Sequence, residues 1–215
     1  MAPRILIRRA PLVAVVAILV ALTIRVPEAP ATIAEQRARL PPAAECEDEI
    51  EGKWRAHTFS EWRGRWAEFT LEIHRVKDNP TALTGFIKVH SYQGGPEDAE
   101  PGACEGLRFT GQMPGFGTYA DGQVAFGSNE FQLTEVICGD FNSVRYYPDN
   151  FTGRIDPALQ EFQSVNNDGG AAVNEPAVFR RIACYDDEAM QPKGDVKPPP
   201  FFPARKSSGG CGVAP

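Results

Sequence analysis

The familiar catalytic signatures are missing from this sequence. It holds three histidines in 215 residues, and its five cysteines include no CxxC pair and none near a histidine. That argues against a zinc site or a thioredoxin-type redox centre. There is no G-x-S-x-G, no H-E-x-x-H and no phosphate-cradling glycine loop, so nothing marks a serine hydrolase, a zinc hydrolase or a P-loop enzyme. Sustained helical periodicity is lacking too, which points away from helical architectures. The one long apolar run, Pro11 to Ile24, has 14 residues, short of the roughly 20 that cross a membrane as a helix.

That run suits export instead. Arg4, Arg8 and Arg9 precede it as a basic n-region, and Ala29-Pro30-Ala31 offers a small-x-small cleavage pattern. Residues 1–31 are therefore expected to be a signal peptide or an uncleaved signal anchor, and the rest of the chain secreted or extracytoplasmic. Basic charge is scarce beyond the leader. The whole chain carries −6, and past residue 31 there are 18 basic against 27 acidic side chains, or −9. Such a domain is a poor partner for nucleic acid or an anionic membrane surface, so membrane contact is expected only through the N-terminal segment.

In an oxidising compartment four of the five cysteines can form two bridges, with three connectivities. Cys46–Cys184 is preferred because the two flank the structured region, with Cys104–Cys138 inside it. Each bridge is expected to stabilise the fold by about 3–4 kcal/mol. Cys211 is then left in a tail, free or cross-linking a dimer. Residues 32–45 read as a Pro/Ala-rich stalk and 186–215 as a disordered Pro/Gly/Ser tail, leaving a domain over 46–185.

Alternation dominates that domain. Phe69, Leu71 and Ile73 alternate with Thr70, Glu72 and His74, and Ile87 and Val89 alternate with Lys88 and His90, with a turn at 77–80 between them. Further strands are expected at 50–59, 106–112, 122–127, 130–137, 143–147, 150–156, 160–166 and 177–184. Only 156–163 has the start of a short helix, with Asp156 as N-cap and Pro157 at N1. A small repeat, LTGFI at 83–87, FTGQM at 109–113 and FTGRI at 151–155, puts glycine where a sheet can curve or backbones can approach closely. The expectation is an all-β antiparallel meander forming a small barrel of about eight strands, with a β-sandwich as the alternative. Gly52 and Trp54 in EGKW resemble the G-x-W that opens lipocalin- and avidin-like (calycin) barrels. The resemblance implies that fold and carries no ligand with it.

Three constellations carry chemistry. SVNNDGGAAVNE at 164–175 fits the calcium-loop template at Ser164, Asn166, Asp168, Gly169 and Glu175. Against that, Ser164 replaces an acidic ligand, Pro176 stands where an exit helix should run, and the flanks read as strands. A hairpin turn at Asp168-Gly169 accounts for the same residues, so no cofactor is expected beyond this calcium candidate. The second set is His57, Glu68 and His90, which come level on three neighbouring strands if the first two turns centre near 62 and 79. They could bind metal or act as acid and base, but Lys53, Arg55, Glu72 and Lys88 share their face, which is that of a solvated exterior. The third set is aromatic: Trp62, Trp66, Tyr92, Phe116 and Tyr119 fall in or beside loops, near the acidic loop 94–102. They offer a ligand contact or a plug for the barrel end.

The reading that follows is an exported, non-catalytic barrel binding a small molecule, a surface protein or a glycan at its mouth. The alternatives are an extracytoplasmic hydrolase or isomerase using the His/Glu/His set, and a structural surface module cross-linked through Cys211.

Overall fold

The alternating segments build nine antiparallel strands. These are β1 (Gly52–Ser60), β2 (Arg65–Val76), β3 (Asn79–Gln93), β4 (Arg108–Ala120), β5 (Gln123–Gly127), β6 (Gln132–Cys138), β7 (Asn150–Asp156), β8 (Glu161–Asn167) and β9 (Val173–Ala183). They are seen in a computed structural model that describes residues 33–104, 106–170 and 172–185. The leader, the tail and Cys211 lie outside the described residues.

The strands close into a barrel and not a sandwich. Pairing runs β1–β2–β3–β4–β5–β7–β8–β9 and returns from β9 to β1, giving eight strands in a ring. The ninth, β6, stays outside: it pairs with residues 108–112 of β4, while β5 takes residues 116–120. Inward residues of every second position fill the centre, among them Trp54, Phe69, Leu71, Ile87, Met113, Phe126, Phe151, Phe162 and Phe179.

The end where the first strand begins is sealed. Gly52 sits at φ +141°, and a side chain there would run into the carbonyl of Ala183 on β9. Only glycine lets the two strands meet so closely. Two residues on, the Trp54 indole is fully buried and donates to the Ile50 carbonyl at 2.9 Å. The Arg181 guanidinium lies 4.5 Å over its ring and donates to the carbonyls of Asp48 and Glu49. The G-x-W pair therefore has a physical role, as a close strand crossing followed by a plug.

Three expectations need correction. Residues 143–147 form no strand: a 3-10 turn covers Phe141–Ser143, and Tyr146 then turns in over Phe109 and Phe131. Residues 156–163 form no helix. Asp156 does accept from the amides of Ala158 and Leu159, as an N-cap would, but Gln160 takes φ +51° and the chain reverses into β8. The segment expected as stalk holds a helix, α1 (Ile33–Arg39), packed on β9 and β1. The structure joins Cys46 to Cys184 and Cys104 to Cys138, the two pairs preferred from the sequence.

Candidate functional site

The opposite end is open for two reasons. First, β1 and β9 pair only where Lys53–Arg55 meet Arg180–Ala183, and the ladder stops above that. The backbone groups left without a ladder partner must find others. Gln36 of α1 supplies two, donating to the Pro176 carbonyl and accepting from the Val178 amide, both at 3.0 Å. Second, the connection from β5 to β7 makes a long excursion through β6 instead of turning tightly across the mouth.

Between these features lies a cavity of about 450 Å³. Its depth can be read from strand register. Arg65 and Ser60 form the upper level, Thr58, Ala67 and Ser91 the next, and Phe69 the lowest. Phe69 packs edge-on against Phe151 at 5.2 Å, so the floor is aromatic. The rim includes Ile33, Trp62 and Val173, which are exposed.

One wall is polar and buried. Asp149 is 2% exposed; it accepts from the Tyr146 hydroxyl at 2.8 Å and the Asn166 amide at 2.6 Å. Burial pushes its carboxyl up to about 7, against those two hydrogen bonds, and the nearby Asp168 adds to the rise. Burial also raises the Tyr146 phenol well above its usual range. Asp149 is thus a neutral acid below about pH 7 that can take or release a proton inside the cavity wall.

The candidate calcium residues share this interior but are already engaged. Ser164 donates to the Ala177 carbonyl and Asn166 to Asp149. Asp168 accepts from the amides of Gly170 and Ala172 with one oxygen and from Arg63, at 2.6 Å, with the other. Glu175 accepts from Ser60. The segment is a β8–β9 hairpin whose turn is tied by Asp168 and salt-bridged to the β1–β2 turn. Among the described residues, no group of three His, Cys, Asp or Glu is placed to hold a metal ion.

His57, Glu68 and His90 are level, as the register argument requires, and they lie on the outer face. Glu68 pairs with Arg55 at 2.5 Å, and His90 Nε2 accepts from Arg108 at 2.9 Å. A shallow groove of about 280 Å³ runs beside Glu68 and His90. His57 is covered. Its ring lies 4.8 Å from Trp66, and its Nε2 is 2.9 Å from the Tyr92 hydroxyl. That hydroxyl gives its only proton to the Ala99 carbonyl at 2.6 Å, so His57 must donate from Nε2. Burial lowers the imidazole to about 4, with Glu68 opposing, so the ring is neutral near pH 7.

The five candidate aromatics do not converge. Trp62 stands at the mouth, 79% exposed. Trp66 and Tyr92 are buried in a second small core on the outer face, with His57 and Phe59, where Arg39 lies over Trp66. Phe116 is exposed on β4, and Tyr119 is near the sealed end, bonded to Glu49. The 94–102 loop does meet the β1–β2 turn, through Gly94 to Gly64 and the Trp66 indole to Gly95.

Sequence reasoning missed Asp149, Tyr146, Arg63 and Arg65. For Arg65 a signal existed, since it continues the inward parity of Ala67, Phe69 and Leu71. Asp149 carried none, because its burial comes from an irregular loop.

No protein-family model matches the chain, and neither a curated protein nor a solved structure matches it.

Proposed function

We propose that this protein is an exported, non-catalytic barrel that takes a small molecule into its open mouth, where a surface protein's side chain or a glycan would also enter. One observation carries the reading: a cavity of about 450 Å³ with an aromatic floor and a wall of buried polar groups. Ligand sites typically fall between about 300 and 1,000 Å³, with an apolar lining and a few convergent polar groups. The serines of this region are engaged, with Ser60, Ser91 and Ser164 donating to Glu175, Trp66 and Ala177, which favours binding over nucleophilic catalysis. Two intramolecular disulfides agree with an extracytoplasmic home.

The test is a native mass spectrum of the protein exported from its own host, with Ala67→Trp beside the wild type. Ala67 faces the cavity, so tryptophan there fills it from the wall. An organic mass on the wild type that is absent from the folded variant supports the reading. A bare wild-type chain, or a mass retained equally by Ala67→Trp, sinks it.

A further inference from the structure

The mouth holds two arginines in different circumstances. Arg63 is engaged with Asp168 at 2.6 Å. Arg65 starts β2 with its guanidinium 5.6 Å over the Phe109 ring, and its Nε is buried without a hydrogen-bond partner among the described residues. Burial disfavours its charge, the like charge of Arg63 adds to that, and Tyr146 opposes it. Its Nε lacks the acceptor that a buried donor ordinarily finds.

Within the wall, both oxygens of Asp149 accept from other residues, and Glu175 stands on β9, tied to Ser60, while Arg65 leans the other way toward β4; Glu61 stands exposed at the rim on the β1–β2 turn. Several neighbouring donors are engaged: Tyr146 and Asn166 with Asp149, Ser91 with the Trp66 carbonyl, and one nitrogen of Arg63 with Asp168. Arg65 is the cationic fork of this wall whose Nε has no partner among the described residues.

We propose that the ligand of the mouth is a small carboxylate, its apolar body over Ala67 and Phe69 and its acid group on the Arg65 fork. This rests on the small-molecule reading above. Guanidinium and carboxylate match in plane and spacing, and the pair is stronger than a neutral hydrogen bond. Register fixes the orientation. Arg65 is two levels above Phe69, so the apolar end goes in first and the acid stays at the rim.

The test uses the disulfide-intact protein at pH 6 with two probes of one shape, 1-naphthoate and 1-naphthamide, titrated by calorimetry. The variants are Arg65→Gln, which removes the charge, and Arg65→Lys, which keeps it without the fork. In the wild type, naphthoate should bind about tenfold or more tighter than naphthamide, as expected for a charge-assisted contact. Arg65→Gln should bring the two within about threefold while leaving naphthamide unchanged, with Arg65→Lys between. Equal binding of both probes to the wild type, or a preference that survives Arg65→Gln, overturns the carboxylate assignment and leaves the small-molecule reading standing. If neither probe binds the folded wild type, both fall.

Discussion

Asp149 and His57 should pull the stability of this protein in opposite directions over the same pH range. Asp149 is pushed up to about 7 from its usual 3.8. The folded state then holds a proton that the unfolded chain has lost, so its contribution is fully present below about pH 4 and is lost as pH rises through 7. Three units at about 1.4 kcal/mol each make that loss about 4 kcal/mol. His57 goes the other way. Its imidazole falls from 6.5 to about 4, so the unfolded chain binds the extra proton and stability rises from about pH 4 to 6.5. That gain is about 3 kcal/mol. His74 and His90, also lowered by burial, act in the same direction as His57.

The wild-type profile should therefore be nearly flat between about pH 4.5 and 7.5, and the variants should show what it hides. Asparagine at 149 can keep the local bonds: its oxygen accepts from Asn166, and its amide donates to Tyr146, whose hydroxyl can turn to accept. Asp149→Asn removes the falling component, so unfolding free energy should climb by about 3 kcal/mol across the window and exceed wild type by a similar amount at pH 8. His57→Gln keeps a donor toward Tyr92 and removes the main rising component, so its stability should drop across the same range. Urea denaturation under non-reducing conditions, followed by tryptophan fluorescence at several pH values, reads all three. If Asp149→Asn runs parallel to wild type, Asp149 is ionised in the folded protein at neutral pH and the buried-acid account of the cavity wall is wrong.

Other substitutions separate the mouth from the packing around it. Arg63→Gln should cost about 3 kcal/mol, because it strands the buried Asp168 carboxylate without its cation. Added calcium should leave the melting temperature unchanged; a rise of several degrees, abolished by Asp168→Ala, would restore a calcium loop at 164–175. Trp62→Ala should leave stability within about 0.5 kcal/mol of wild type, whereas Trp66→Ala should cost about 3–5 kcal/mol, as measured by chemical denaturation. Replacing Cys46 and Cys184 by serine should destabilise by about 5 kcal/mol and replacing Cys104 and Cys138 by about 4, since the loops closed differ, at 138 and 34 residues. Equal losses would mean that α1 and the chain leading to β1 stay docked without their bridge.

What was legible in the sequence was whatever depends on alternation. Two turns placed near 62 and 79 bring His57, Glu68 and His90 level, and that register is the one the strands adopt. Glycine at the centre of LTGFI marked a close approach, and a side chain at Gly85 would run into the Glu72 carbonyl. Parity has limits, though. It puts Trp66 and Tyr92 on the outer face, yet it does not say that Arg39, from a helix read as stalk, would cover them and turn a solvated face into a buried one. The helix itself was hidden because its seven residues draw their stability from docking: Gln36 on the β9 backbone and Arg37 on Glu161 at 2.8 Å.

The same limit explains why the two ends of the barrel differ in how well they could be read. At the sealed end the determinants sit on strands whose parity the sequence shows, a glycine and a tryptophan two residues later on β1 and an arginine on β9, and the tryptophan and arginine donate to carbonyls just before β1. At the open end the determinants come from segments without periodicity, namely the β5–β7 excursion with Tyr146 and Asp149, the two hairpin tips with Arg63 and Asp168, and α1. The β1–β9 ladder stops at Arg55, and Gln36 supplies two hydrogen bonds to the β9 edge from outside the sheet. A seam paired to its end would have needed no such helper. Gln36 also lines the cavity, so the unpaired stretch of the seam borders the site, and a chain under pressure only for stability would be expected to complete the pairing. Gln36→Ala tests that link. It should loosen the Pro176–Val178 edge, speeding amide exchange there, and weaken naphthoate binding without touching the sealed end; unchanged exchange at Val178 would show that the seam holds itself open without α1.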